Sequence, residues 1–300
     1  MKKLILILFL AFLVGQQLCA QKPENLDEAR MARIDSLLND LLFGEDVSAY
    51  AQGLKQNFQF LYLRANYDTK TYFAGREIGN DQYNLSGQLF YMHSNGIFAG
   101  VSGSWYSQLD PGYRTTVLTL GYGKGLKKAK FLRYRFSYDY YLFNNDDPDF
   151  DPLYTSGLNT GITLKSKSLG TRFDAAFLLG KEVSTQLSWD FYAYLNLVKL
   201  GKYDKIRLEP EVSLSFGTEA AAFSLSEVLV DPVTNDVYDT YYEDVFGLLN
   251  VQLILPLNIT YRNFDFEVSY QYNLPRTQGD ALSYPESSSF RLSLGYMFSL

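Results

Sequence analysis

The sequence predicts an all-β chain closed into a transmembrane antiparallel β-barrel of about twelve strands, preceded by a short N-terminal amphipathic helix. Three observations carry that expectation. The last eleven residues alternate in character, period-two patterning fills the chain from about residue 56 onward, and aromatics are abundant, with 25 Tyr and 22 Phe. In the terminal stretch F-R-L-S-L-G-Y-M-F-S-L, the even positions Phe290, Leu292, Leu294, Tyr296, Phe298 and Leu300 are all apolar. Successive side chains of a strand point to opposite faces, so this is a strand with one apolar face. Abundant Tyr and Phe suit the girdles that such barrels place at two lipid interfaces. No stretch after residue 20 approaches the roughly 20 apolar residues that a spanning helix requires.

The N-terminus reads as a secretory signal over residues 1–20: a basic Met1-Lys2-Lys3 head, an apolar run from Leu4 to Val14, and a more polar tail ending at Ala20. Leu18 and Gln16 stand where a lipoprotein signal around Cys19 would need other residues, so cleavage after Ala20 is the expectation. The mature chain then has no cysteine, which excludes disulfides, thiol catalysis and Cys-based metal sites. Losing Lys2 and Lys3 leaves 25 basic against 33 acidic residues, a formal charge of −8 that argues against nucleic acid as a partner. Residues 21–55 form an N-terminal periplasmic segment with a helix over 25–43. Asn25 caps it with Glu28 three residues on, and Gly44 stops it. Met31, Ile34, Leu38 and Leu41 fall at helical spacing, and such a stripe has to be covered, either by a periplasmic or membrane protein partner or by the mouth of the barrel itself.

Residues 56–300 form the barrel. The clearest strands are 131–142, 205–216, 247–261, 264–273 and the terminal one; weaker patterns fall at 56–67, 82–93, 96–106, 112–123, 153–164, 168–180 and 184–198. An even number returns the chain to its starting side. Connections after even strands are short, such as Ser94-Asn95 and Arg262-Asn263, while long ones at 68–81, 143–152, 217–244 and 274–286 follow odd strands. Short periplasmic turns and long external loops are the rule for such barrels. Charge divides along the same line. Lys124, Lys127, Lys128, Lys130, Lys165, Lys167, Lys199, Lys202 and Lys205 fall at the short turns, where they are expected to meet phospholipid head groups. Asp146, Asp147, Asp149, Asp151, Asp231, Asp236, Asp239, Glu243 and Asp244 fall in the long loops.

The closing alternation, with its aromatics near the terminus, resembles the last strand of Gram-negative outer-membrane barrels, although Leu300 stands where that family usually has Phe. Arg33-Ile34-Asp35-Ser36-Leu37-Leu38 leading into Phe58-Gln59-Phe60-Leu61-Tyr62 resembles the outer-membrane barrels of similar length found in the Bacteroidota. The resemblance implies an outer-membrane location with outer-membrane lipids as surroundings. No catalytic or ligand residue carries over, because that family has no assigned chemistry.

Residues opposite the apolar face line the lumen. Strand 131–142 points Arg133, Arg135 and Asp139 inward, strand 168–180 adds Arg172 and Asp174, strand 205–216 adds Arg207, Glu209 and Glu211, and strand 264–273 adds Asp265 and Glu267. In a ring of about twelve, the arginines of the fifth strand face the carboxylates of the eleventh, which suggests a transverse field like that of a porin constriction. The same charges could instead pair into a network that fills the lumen and stabilises it. An enzyme is not expected, since the single histidine, His93, lies in a short turn. The acidic run 145–151 lacks the Gly and distal Glu of an EF-hand, and neither a phosphate loop nor zinc-ligand spacing is present, so no cofactor or metal is expected. Two roles remain: a docking subunit of an envelope complex, favoured by the helix, or a passive porin-like channel for small polar solutes.

Overall fold

The computed structural model describes residues 59–300 except 74–75, 78–81, 127–128, 130, 145–151, 153, 167, 182, 201–203, 231–236 and 278–283. The signal, the helix over 25–43 with its stripe, and the acidic run 145–151 lie outside the described residues. Twelve strands follow one another: β1 Gln59–Asp68, β2 Asn84–His93, β3 Ile97–Tyr106, β4 Tyr113–Gly125, β5 Leu132–Phe143, β6 Tyr154–Lys165, β7 Leu169–Gly180, β8 Val183–Ala193 continued as Leu195–Lys199, β9 Lys205–Leu208 continued as Glu211–Val230, β10 Val237–Tyr261, β11 Phe264–Pro275 and β12 Ser287–Ser299. Each pairs antiparallel with the next, and β1 pairs with β12 from Phe60↔Ser299 to Asp68↔Arg291, so the sheet closes on itself and has no edge.

The alternation does what it predicted. Leu63, Leu89, Leu118, Leu120, Phe136, Leu158, Leu253 and Leu294 stand exposed on the outer surface. Covering each such side chain is worth about 1.5–3 kcal/mol, so a belt of this extent is stable in hydrocarbon and not in water. Aromatic rings flank it. Tyr67, Tyr83 and Trp105 form a chain with centroids 5.7 and 5.8 Å apart at the end carrying the long connections. At the other end lie Tyr122–Tyr134–Phe136 (6.3 and 5.9 Å) and Phe264–Tyr296–Phe298 (4.6 Å each).

Two features depart from the expected strands. The ladder of β9 breaks at Glu209–Pro210, because proline has no N–H to contribute. The register survives: Leu208 pairs with Leu257 before the break and Glu211 with Ile254 after it. Residues 217–244, expected as a long loop, are instead mostly a ladder continuing β9 and β10 from Gly217↔Gly247 to Val230↔Val237. The acids Asp239, Glu243 and Asp244 therefore lie in a strand. Beyond the lipid a strand needs no apolar face, so the period-two signal faded there while the hairpin persisted.

The short-turn end is tight. Gly96 has φ 105°, and a Cβ there would sit 2.4 Å from the carbonyl oxygen of Gly123, so only glycine fits.

The charged lumen as candidate functional site

Strand parity sends Arg133, Arg135 and Asp139 of β5, Arg172 and Asp174 of β7, Arg207, Glu209 and Glu211 of β9, and Asp265 and Glu267 of β11 to the inner face. The structure then pairs these charges locally. Arg172 is the hub on one side: its guanidinium lies 2.7 Å from Asp190, 3.3 Å from Asp174 and 3.5 Å from Glu211. Asp174 also accepts from Arg135 at 2.9 Å, and the Ser213 hydroxyl donates to the second oxygen of Asp190 at 2.5 Å. Asp190 is 3 % exposed, so its charge is held by Arg172 and Ser213 instead of by water.

The opposite wall has its own arrangement. Arg64 of β1 donates to Glu267 at 2.9 Å and to Asn66 at 2.8 Å, and Asn66 donates to Ser86 at 3.0 Å. Arg291 of β12 donates to Asp68 at 2.6 Å. Back on the Arg172 side, Asp139 of β5 accepts from Asn159 of β6 at 2.8 Å. The sequence left open a basic wall facing an acidic one or a network of paired charges; each wall is of mixed sign and its charges are paired locally. Arg135 and Glu267 line the same cavity, but Arg135 bonds Asp174 and Glu267 bonds Arg64. Barrel shear brings strands two apart into side-chain reach, which satisfies these charges before they can oppose one another across the lumen.

Toward the short turns the interior is packed. Phe60, Tyr62, Phe90, Met92, Phe98 and Met297 point inward from β1, β2, β3 and β12 and are buried. Glycines make room for the rings: a Cβ on Gly100 would meet the Phe90 ring at 2.3 Å, one on Gly121 the Phe98 ring at 2.2 Å, and one on Gly295 the Tyr62 hydroxyl at 2.1 Å. On the other side Lys165 and Arg207 lie 4.0 and 4.8 Å from the Tyr194 ring centroid, and Arg207 also pairs with Glu209. Arg133 lies at this end of β5, opposite Gly125 and Thr163. Lys165, expected among lipid head groups, is thus inside and 8 % exposed. It follows outward-facing Leu164 by one position, and parity turns it inward.

Above this packed end lie two chambers. The lower, about 440 Å³, is lined by Arg64, Arg172, Asp190, Glu209, Glu211, Asp265 and Glu267 among others. The upper, about 800 Å³, opens toward the long connections and is lined largely by amides and hydroxyls, including Asn84, Gln88, Asn159, Gln186 and Asn250. They share Arg135, Asp174, Ser188, Gln252, Ile254, Gln271 and Arg291, so they are contiguous.

Sequence reasoning missed Arg64, Asp68, Asp190 and Arg291. Each had a signal: Arg291 lies between outward Phe290 and Leu292, and Asp190 between outward Trp189 and Phe191. His93 accepts the backbone N–H of Asn95 on its Nδ1 at 3.1 Å, so it braces its own turn.

No protein-family model matches the chain, and no curated protein is similar to it in sequence. Among solved structures it is similar to the KdgM porin, with 8 % identity over 79 % of this chain and 99 % of that one and a TM-score of 0.46. The NanC porin gives 10 % identity, 79 % and 98 % coverage and a TM-score of 0.44. An outer membrane channel from Pseudomonas putida F1 gives 11 %, 85 % and 100 %, and 0.44. These likenesses lie in the barrel and assign none of its chemistry.

Proposed function

We propose that this chain is an outer-membrane channel for small polar solutes, of the Bacteroidota type that its sequence resembles, with the short turns in the periplasm and the long connections outside. The observation that carries the reading is the contiguity of two polar chambers inside a closed, lipid-belted barrel. A solute entering from the long-loop side first meets amides and hydroxyls together with the Asp68–Arg291 and Arg135–Asp174 pairs. It next meets the paired charges around Arg172 and Arg64, and finally the packed short-turn end, where Phe98 and Tyr194 are buried. Because both walls are of mixed sign, the lumen favours dipolar or neutral solutes over ions of either charge. The role as a docking subunit rests on the stripe of Met31, Ile34, Leu38 and Leu41, whereas the described residues favour passage through the lumen.

Liposome swelling tests the proposal. Vesicles containing the protein should swell faster than protein-free vesicles in isosmotic arabinose and in glycine. Equal rates with and without protein in both solutes would overturn it.

A further inference from the structure

Above the upper chamber, beyond Asp139 on β5, lie aromatic rings that the lipid belt does not explain. On β5 the inward positions Arg133, Arg135 and Asp139 continue to Tyr141 and Phe143, so these two rings face the lumen at its long-loop mouth. They are stacked, with centroids 6.2 Å apart and planes at 16°. Tyr154 meets both edge-on, at 5.1 Å and 83° to Tyr141 and 5.7 Å and 74° to Phe143. Three mutually braced rings make a platform whose shape is set before anything binds, and each remains only half-buried.

Below the platform, two residues along β5, Asp139 lines the chamber. Its carboxylate accepts from the Asn159 amide at 2.8 Å, and the chamber around them is lined with further amides and hydroxyls, among them Gln88, Ser137, Thr160 and Gln186, so a guest rich in hydroxyls finds donors and acceptors at several points. Two ionic pairs that border the chamber, Asp68–Arg291 and Arg135–Asp174, are internally compensated, which suits a neutral guest better than an ion.

We propose that the long-loop mouth is a saccharide-binding site: the Tyr141–Phe143–Tyr154 platform takes the C–H face of a pyranose ring, and Asp139 with Asn159 takes hydroxyls at its edge. The chemistry of the ligand follows from the two halves of the site. A pyranose presents an apolar C–H face and a rim of donors and acceptors, and few other small neutral solutes present both. This names the solute class of the proposed channel, and its transport role rests on that reading, but binding itself does not require an open pore.

Calorimetric titration of the detergent-solubilised protein with glucose, galactose, mannose, raffinose and maltotriose tests it, with glucuronate as the acidic control and a polyethylene glycol of trisaccharide size as the control for mere filling. At least one neutral sugar should bind saturably. Its affinity should fall at least tenfold in Tyr141→Ala and in Asp139→Ala and should survive in Tyr141→Trp. Heat-modified gel mobility verifies that each variant is a folded barrel; Tyr154→Ala and Asp139→Asn replace any that is not, with the same expected loss. No saturable binding by any of the five sugars overturns the site, as does binding that these substitutions leave unchanged or binding of the polymer equal to that of the sugars. Conductance measured on the same preparation separates the two readings: binding without conductance sinks the channel and keeps the site, and conductance without binding does the reverse.

Discussion

The two ends of the lumen are built on opposite plans. At the short-turn end, Phe60, Tyr62, Met92 and Met297 are each 1 % exposed, and Arg207 and Glu209 are buried beside Tyr194. At the long-loop end, Tyr106 lines a chamber of about 800 Å³, and Tyr141 and Tyr154 are likewise only half-buried. One barrel thus places close packing where the chain turns tightly and open polar surface where the connections are long. The difference teaches that twelve closed strands do not need a filled interior from end to end; enough is packed near one rim, and the other is left open.

The largest effect expected from breaking the comparison is in the network around Asp190. Arg172→Ala removes the guanidinium that holds the buried Asp190 carboxylate, and leaving a buried charge uncompensated costs about 3–5 kcal/mol. The urea midpoint of the detergent-solubilised barrel should fall accordingly. The next effect is steric. Gly121→Val forces a side chain against the Phe98 ring and the Phe136 carbonyl, where a Cβ would already stand at 2.2 and 2.7 Å, and overpacking of this kind costs about 1–3 kcal/mol. Gly87→Ala, with nothing within 4 Å of its new methyl, should leave the midpoint unchanged. The smallest effect is expected from Asp68→Ala. Its partner Arg291 is 41 % exposed near the open mouth, so solvent screens the pair and the loss should stay below about 1 kcal/mol. A loss in Asp68→Ala as large as that in Arg172→Ala would abolish the distinction between the buried network around Asp190 and the open mouth.

Strand positions were legible because lipid imposes an apolar face on every strand that crosses it. Where lipid stops, the signal stops, and the continuation of β9 and β10 through residues 217–244 was read as loop. Inward-facing charges were legible by parity, as Arg135 and Glu267 illustrate, and the same rule applied to Leu164 would have turned Lys165 inward. Partners were not legible. Arg135 meets Asp174 on β7, and Arg64 meets Glu267 on β11, through the tilt of a closed barrel, a property of the ring and of no single strand. The fit of Phe98 over Gly121 has the same origin, since the ring on β3 lies over a glycine on β4 that carries no pattern of its own.

Single-channel recording in planar bilayers tests the central claim most directly, that the packed short-turn end sets the passage and the long-loop end does not. The wild-type protein should show small ohmic steps. Phe98→Ala should enlarge them several-fold, and Tyr106→Ala should leave them unchanged. A silent wild type that stays silent in Phe98→Ala would contradict the account, and so would a conductance raised by Tyr106→Ala and indifferent to Phe98→Ala.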